Sequence, residues 1–155
     1  MTAKLPIHGA ELPETGSPAK VAAVPDSVAA SWKSALEKAH CGLATPERLV
    51  ELTDLQIRRD QAMAASLIEV DRALGGGAVL LAGSAHVRRD RSVARYLPEG
   101  SSLAVAILEV TEATDAKAYL PASIGSGPVF DYVWFTPADG LEGTCQRLRK
   151  KGLIQ

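Results

Sequence analysis

The sequence predicts an α/β protein, a layered fold with a small, at least partly parallel central sheet flanked by helices. Three observations carry this. Residues 26–39 and 46–74 repeat their apolar side chains at helical spacing. Ala78–Ala82 is apolar throughout rather than alternately, the pattern of a strand covered on both faces. Two more short strands, Leu103–Val110 and Tyr132–Phe135, follow with helical or turn-rich stretches between them, the order that builds parallel connections.

Residues 1–25 hold Pro6, Pro13, Pro18, Pro25, Gly9 and Gly16 without a sustained period, and read as a loose leader or linker. Residues 26–155 read as a single α/β domain, long enough for one core. The first helix starts with Asp26 or Ser27 as N-cap, carries Val28, Trp32, Ala35, Leu36 and Ala39 on one face, and stops at His40-Cys41-Gly42, where Gly42 suits the C-terminal turn. The second takes Thr45 as cap and Pro46 at its first position, then runs to Leu74 before Gly75-Gly76-Gly77 ends it. Residues 91–97 read as a short helix with Asp90 as its cap, and Glu112–Leu120 as helix or turn. Pro121–Pro128 is a loop, and the tail from Gly140 has turn residues before a solvated basic end, Arg147 to Lys151.

Composition excludes several functions. The 17 basic and 18 acidic residues leave a net charge of -1, so no global field recruits nucleic acid. The basic residues are not interleaved with aromatics either. Recognition of an anion must therefore be local. Cys41 and Cys145 are too few and too far apart to read as a disulfide framework or zinc ribbon, and they neither demand nor exclude an oxidising compartment. The N-terminus lacks the apolar region of a secretory signal, and no run approaches the roughly 18 apolar residues that span a bilayer. The chain as given reads as soluble.

On a helical wheel of about 100° per residue, Asp60 falls at the centre of the core-facing arc of the long helix, with Leu49, Leu67 and Ala64 on either side and Arg59 near the margin. A buried carboxylate either has a cation or hydrogen-bond donors or lines a cavity, and the arginines after Ala78–Ala82 are its natural partners. Ligands gather outside the carboxyl ends of strands in α/β sheets, which places Gly83-Ser84-Ala85-His86 at the expected site. Gly83 allows a sharp turn and close backbone approach. His86 suits metal ligation, proton transfer or a bond to a nearby carbonyl. Arg88, Arg89 and Arg91 form either an anion-binding rim or a solvated cluster. His40-Cys41 is a weaker metal-binding pair, with a helix-terminal histidine as the plainer reading.

Four stretches taken together resemble a known family. They are His40-Cys41-Gly42, Gln56-Ile57-Arg58-Arg59-Asp60-Gln61-Ala62-Met63-Ala64, Leu81-Ala82-Gly83-Ser84-Ala85-His86-Val87-Arg88, and Phe130-Asp131-Tyr132-Val133-Trp134-Phe135-Thr136-Pro137. In this order, over residues 40–137, they resemble the C-terminal half of the ChaN-like haem-binding uptake family, within the superfamily of Tiki proteases and erythromycin esterases. The sequence departs from the family where Ser92-Val93-Ala94 stands in place of a Gly-Val-Pro turn. The family's N-terminal half, with its own glutamate and histidine motif, has no counterpart here.

The resemblance implies an α/β sandwich and non-catalytic haem binding for iron uptake, with haem and the envelope's uptake machinery as partners and a homodimer as a further expectation. It places Arg59, Asp60, Gly83 and His86 at the site with His40 nearby, Arg88 or Arg89 reaching the haem propionates, and His86, His40 or a tyrosine such as Tyr96 as axial ligand. An envelope-associated protein, periplasmic or a lipoprotein, goes with it. The alternative within the superfamily is a fragment of a metal-dependent hydrolase, in which His86 and Asp60 serve a divalent metal or proton transfer.

Overall fold

The computed structural model describes residues 23–110, 115–138 and 143–153. Most of the expected leader, residues 1–22, lies outside them. The α/β class holds: three helices accompany a two-stranded parallel sheet.

Helix α1 spans Asp26–Ala39 and buries Val28, Trp32 and Leu36. Pro25 is the residue at its N-cap, so Asp26 opens the first turn rather than capping it. The left-handed residue at its end is Cys41 (φ 60°), with Gly42 also at positive φ and its N–H donating to Glu37 O. Helix α2, Pro46–Leu74, has the expected ends: the Thr45 side chain accepts from the Arg48 N–H, and Gly75 closes the helix at φ 62°. Only glycine enters that conformation without strain.

The two helices form an antiparallel hairpin. Val28 and Trp32 pack on Ile57, while Leu36 packs on Leu49 and Leu52. Farther along α2, Met63 and Ala64 receive Val93, with Leu67, Leu80, Tyr96 and Leu97 around them. Val93–Tyr96, expected as a short helix, is one turn of 3₁₀ helix. Strands β1 (Val105–Val110) and β2 (Tyr132–Pro137) pair in parallel, with Val105 opposite Tyr132 and Ile107 opposite Trp134. Ala104, Ala106 and Phe130 seal the sheet's inner side. A 3₁₀ turn covers Ala116–Tyr119 within the stretch expected as helix or turn, while residues 111–114 lie outside the described residues. The basic tail is a short helix, α3 (Thr144–Lys150), without buried residues.

Two further expectations are corrected. Ala78–Ala82 belongs to no strand, and Val79 and Leu81 are 84% and 92% exposed. A continuously apolar strand is buried only when sheet neighbours and layers cover both faces. Here α2 covers one face, through Leu80, and the other stays open. The second correction concerns the cysteines. Cys41 and Cys145 form a disulfide that ties α3 to the end of α1 across a sequence separation of 104. Separation in sequence says little about distance once the chain folds back on itself.

Candidate functional site

The site grows from the middle of α2. Asp60 is fully buried, as its place on the helical wheel requires, and its Oδ1 accepts a hydrogen bond from His86 Nδ1 at 2.7 Å. The immediate partner of the carboxylate is thus the histidine, not an arginine. Arg91 acts on it only through its field. Burial raises the Asp60 pKa, while hydrogen bonding to His86, the charges of His86 and Arg91, and the Trp32 indole oppose that rise.

His86 ends the 3₁₀ turn Ser84–His86, in which its N–H donates to Gly83 O at 2.8 Å. Its side chain is 18% exposed. Trp32 stands against the imidazole with ring centroids 5.2 Å apart, and the Arg91 guanidinium lies 4.3 Å from the centre of the indole. This cation–π contact completes a column of Arg91, Trp32, His86 and Asp60. Trp32 figured in the sequence only as a residue on the apolar face of α1. That position, one turn after Val28, was the signal that it would be buried, but nothing local tied it to His86.

The arginines hold the fold together around this column. Arg88 makes a two-pronged pair with Asp90 (2.9 and 2.7 Å) and reaches Ala122 O, and Asp90 in turn accepts from the Ile124 N–H. Asp90 therefore anchors the loop after Pro121 rather than capping the next turn. Burial alone would raise its pKa, but the Arg88 hydrogen bonds, the Ile124 N–H and the nearby positive charges leave it lowered. Arg89 bonds Asp131 and Ser102 O, joining the approaches to both strands. Arg91 donates to both oxygens of Ser31, at 2.9 Å each. Burial and the charge of Arg88 bring its pKa down to about 10, which leaves it charged at neutral pH. Ser92, wholly buried, donates to Ala85 O and pins the histidine turn from behind.

Beside the column lies an apolar cavity of about 790 Å³, within the size range of cofactor sites. His86, Leu67, Leu80, Val93, Leu103 and Ile107 are among its walls. Of the residues singled out from sequence, His86 alone lines it. Arg88, Arg89, Arg59, Asp60 and Tyr96 do not, nor do Gly83 and His40. Arg59 is half-buried on α2 beside Asp60. Gly83 has an ordinary backbone (φ -58°), and a Cβ there would meet open space. His40 donates from Nδ1 to Leu36 O at the end of α1, the structural role of a helix-terminal histidine. Tyr96 packs beside Met63 and Ala64, and burial raises its phenol pKa, with Gln61 opposing and Asp60 reinforcing that shift.

The donor set bears on what the cavity holds. Among the described residues, no three His, Cys, Asp or Glu side chains converge as a metal-binding group. A zinc ion, structural or catalytic, takes three or four protein donors. A haem iron already has four porphyrin nitrogens and needs one or two. A single imidazole on an apolar wall fits the second.

In a comparison with protein families, residues 6–97 match the family described as haem-binding uptake, Tiki superfamily, ChaN. The matched span contains Asp60, Gly83 and His86, takes in residues 6–25, and ends before the Phe130–Pro137 stretch. No curated protein matches the chain, and no solved structure does.

Proposed function

Because the chain belongs to the haem-binding uptake family (Tiki superfamily, ChaN), we propose that it is a non-catalytic haem-binding domain whose ligand lies in the cavity beside α2, with His86 as the axial donor. The observation that carries this is the pairing of His86 Nδ1 with buried Asp60, which leaves Nε2 without a hydrogen bond among the described residues, on a residue lining an apolar cavity. Bound haem would supply an iron open to axial ligation. The chain's own part is to hold the imidazole, exclude water with Leu67, Leu80 and Val93, and bury the porphyrin's apolar surface.

Two further parts of this reading have structural support. The Cys41–Cys145 disulfide favours an oxidising compartment such as the cell envelope. Uncovered Val79 and Leu81 favour the chain's being the C-terminal half of its family's domain, with further polypeptide completing that layer.

Hemin titration followed in the Soret band tests the proposal. Wild-type protein is expected to give a saturable shift, and His86→Ala to bind at least tenfold more weakly with an altered band. No shift in wild-type protein removes the haem reading. An identical spectrum and affinity in His86→Ala removes His86 as the ligand.

A further inference from the structure

The Asp60–His86 bond does more than orient a ring. With Asp60 ionised, the carboxylate has no hydrogen to give, so the 2.7 Å contact takes its hydrogen from His86 Nδ1 and leaves the Nε2 lone pair for a ligand. The carboxylate has no exposure to water, and Trp32 stands against the imidazole it holds. Little solvent screening weakens its pull on the Nδ1 hydrogen there. That pull shifts electron density across the ring towards Nε2 and raises its basicity as a ligand.

We propose that Asp60 is a positioning residue that makes His86 an electron-rich donor, so that this chain takes oxidised, ferric haem in preference to ferrous haem. The inference rests on the haem reading above and adds the oxidation state of the ligand. Electron-rich axial ligation and a buried negative charge both favour the more positive iron, and second-layer hydrogen bonding is one of the means by which a protein sets haem potential. Trp32 keeps the ring from turning away, and Arg91, tied to Ser31, holds Trp32 in place.

The test compares the midpoint reduction potential of the hemin-loaded wild-type protein with those of Asp60→Asn and Asp60→Glu. Asp60→Asn is expected to lose at least tenfold of the ferric-over-ferrous preference, a rise of about 59 mV for a one-electron couple. Asp60→Glu, which keeps a carboxylate, is expected to retain most of the low potential. In ligand-free wild-type protein, ¹⁵N NMR of His86 is expected to show the hydrogen on Nδ1, a reading that needs no variant to fold. The opposite tautomer overturns the inference, and so does an unchanged potential in Asp60→Asn. If wild-type protein binds no hemin, the haem reading falls with it. If hemin binds through His86 but its potential ignores Asp60, only this inference falls.

Discussion

Asp90 shows how one carboxylate can staple a loop. Its two oxygens take the Arg88 fork and the Ile124 N–H, and the pair is almost wholly buried, at 8% and 6% side-chain exposure. Removing one member leaves a buried charge unpaired, which costs about 3–5 kcal/mol. Asp90→Asn is therefore expected to lower stability by that order in urea denaturation. The Asp90 pKa is lower in the folded chain than in the unfolded chain, so its contribution is fully present above the ordinary aspartate range. It is lost as pH falls through the lowered value. Urea midpoints measured down that range should fall more steeply for wild type than for Asp90→Asn. Equal slopes would mean that Asp90 is not the group responsible. Gly83 offers the opposite case. With ordinary φ and open space at its Cβ, Gly83→Ala should change stability by no more than about 0.5 kcal/mol, so any larger loss of hemin affinity would report close approach of ligand to backbone.

At the scale of elements, α2 was the most legible part of the chain. Its cap, its proline, its closing glycine and its apolar arc are all local, and helical periodicity alone places Asp60 on the inner face. The Ala78–Ala82 segment was the least legible. Its composition asks for burial on both faces, but burial is supplied by other elements, and only Leu80 finds its layer. This yields a prediction that separates the two arrangements. Val79→Ser and Leu81→Ser should each leave folding stability within about 0.5 kcal/mol of wild type, as exposed positions do. Both residues line the cavity, so hemin affinity should fall in each variant. A loss of several kcal/mol in thermal or urea unfolding would mean that the segment is buried in solution.

For the whole molecule, the disulfide is the longest-range constraint. It closes a loop with a separation of 104 residues, and chain entropy puts the stabilisation from a loop of that size near 4–5 kcal/mol. Reduction, or paired Cys41→Ser and Cys145→Ser substitution, should lower stability by an amount of that order, measured by urea denaturation at constant pH. An unchanged urea midpoint would show that the pair is reduced in the protein as isolated. The same long-range closure explains why the cysteines were unreadable as a pair. Their meeting depends on α1 and α3 arriving together, which no local pattern encodes.

The sequence by itself determined the helical hairpin, the buried place of Asp60, the histidine turn after an apolar segment and the family, because these rest on periodicity, caps and short motifs. Tertiary structure alone decided that Asp60 holds His86, that Arg88, Arg89 and Arg91 spend their donors inside the fold, that Trp32 closes the column, and that Val79 and Leu81 stay open. A residue's class is written in its own chemistry, but its partner is chosen by whichever distant group the packed chain brings within hydrogen-bonding distance.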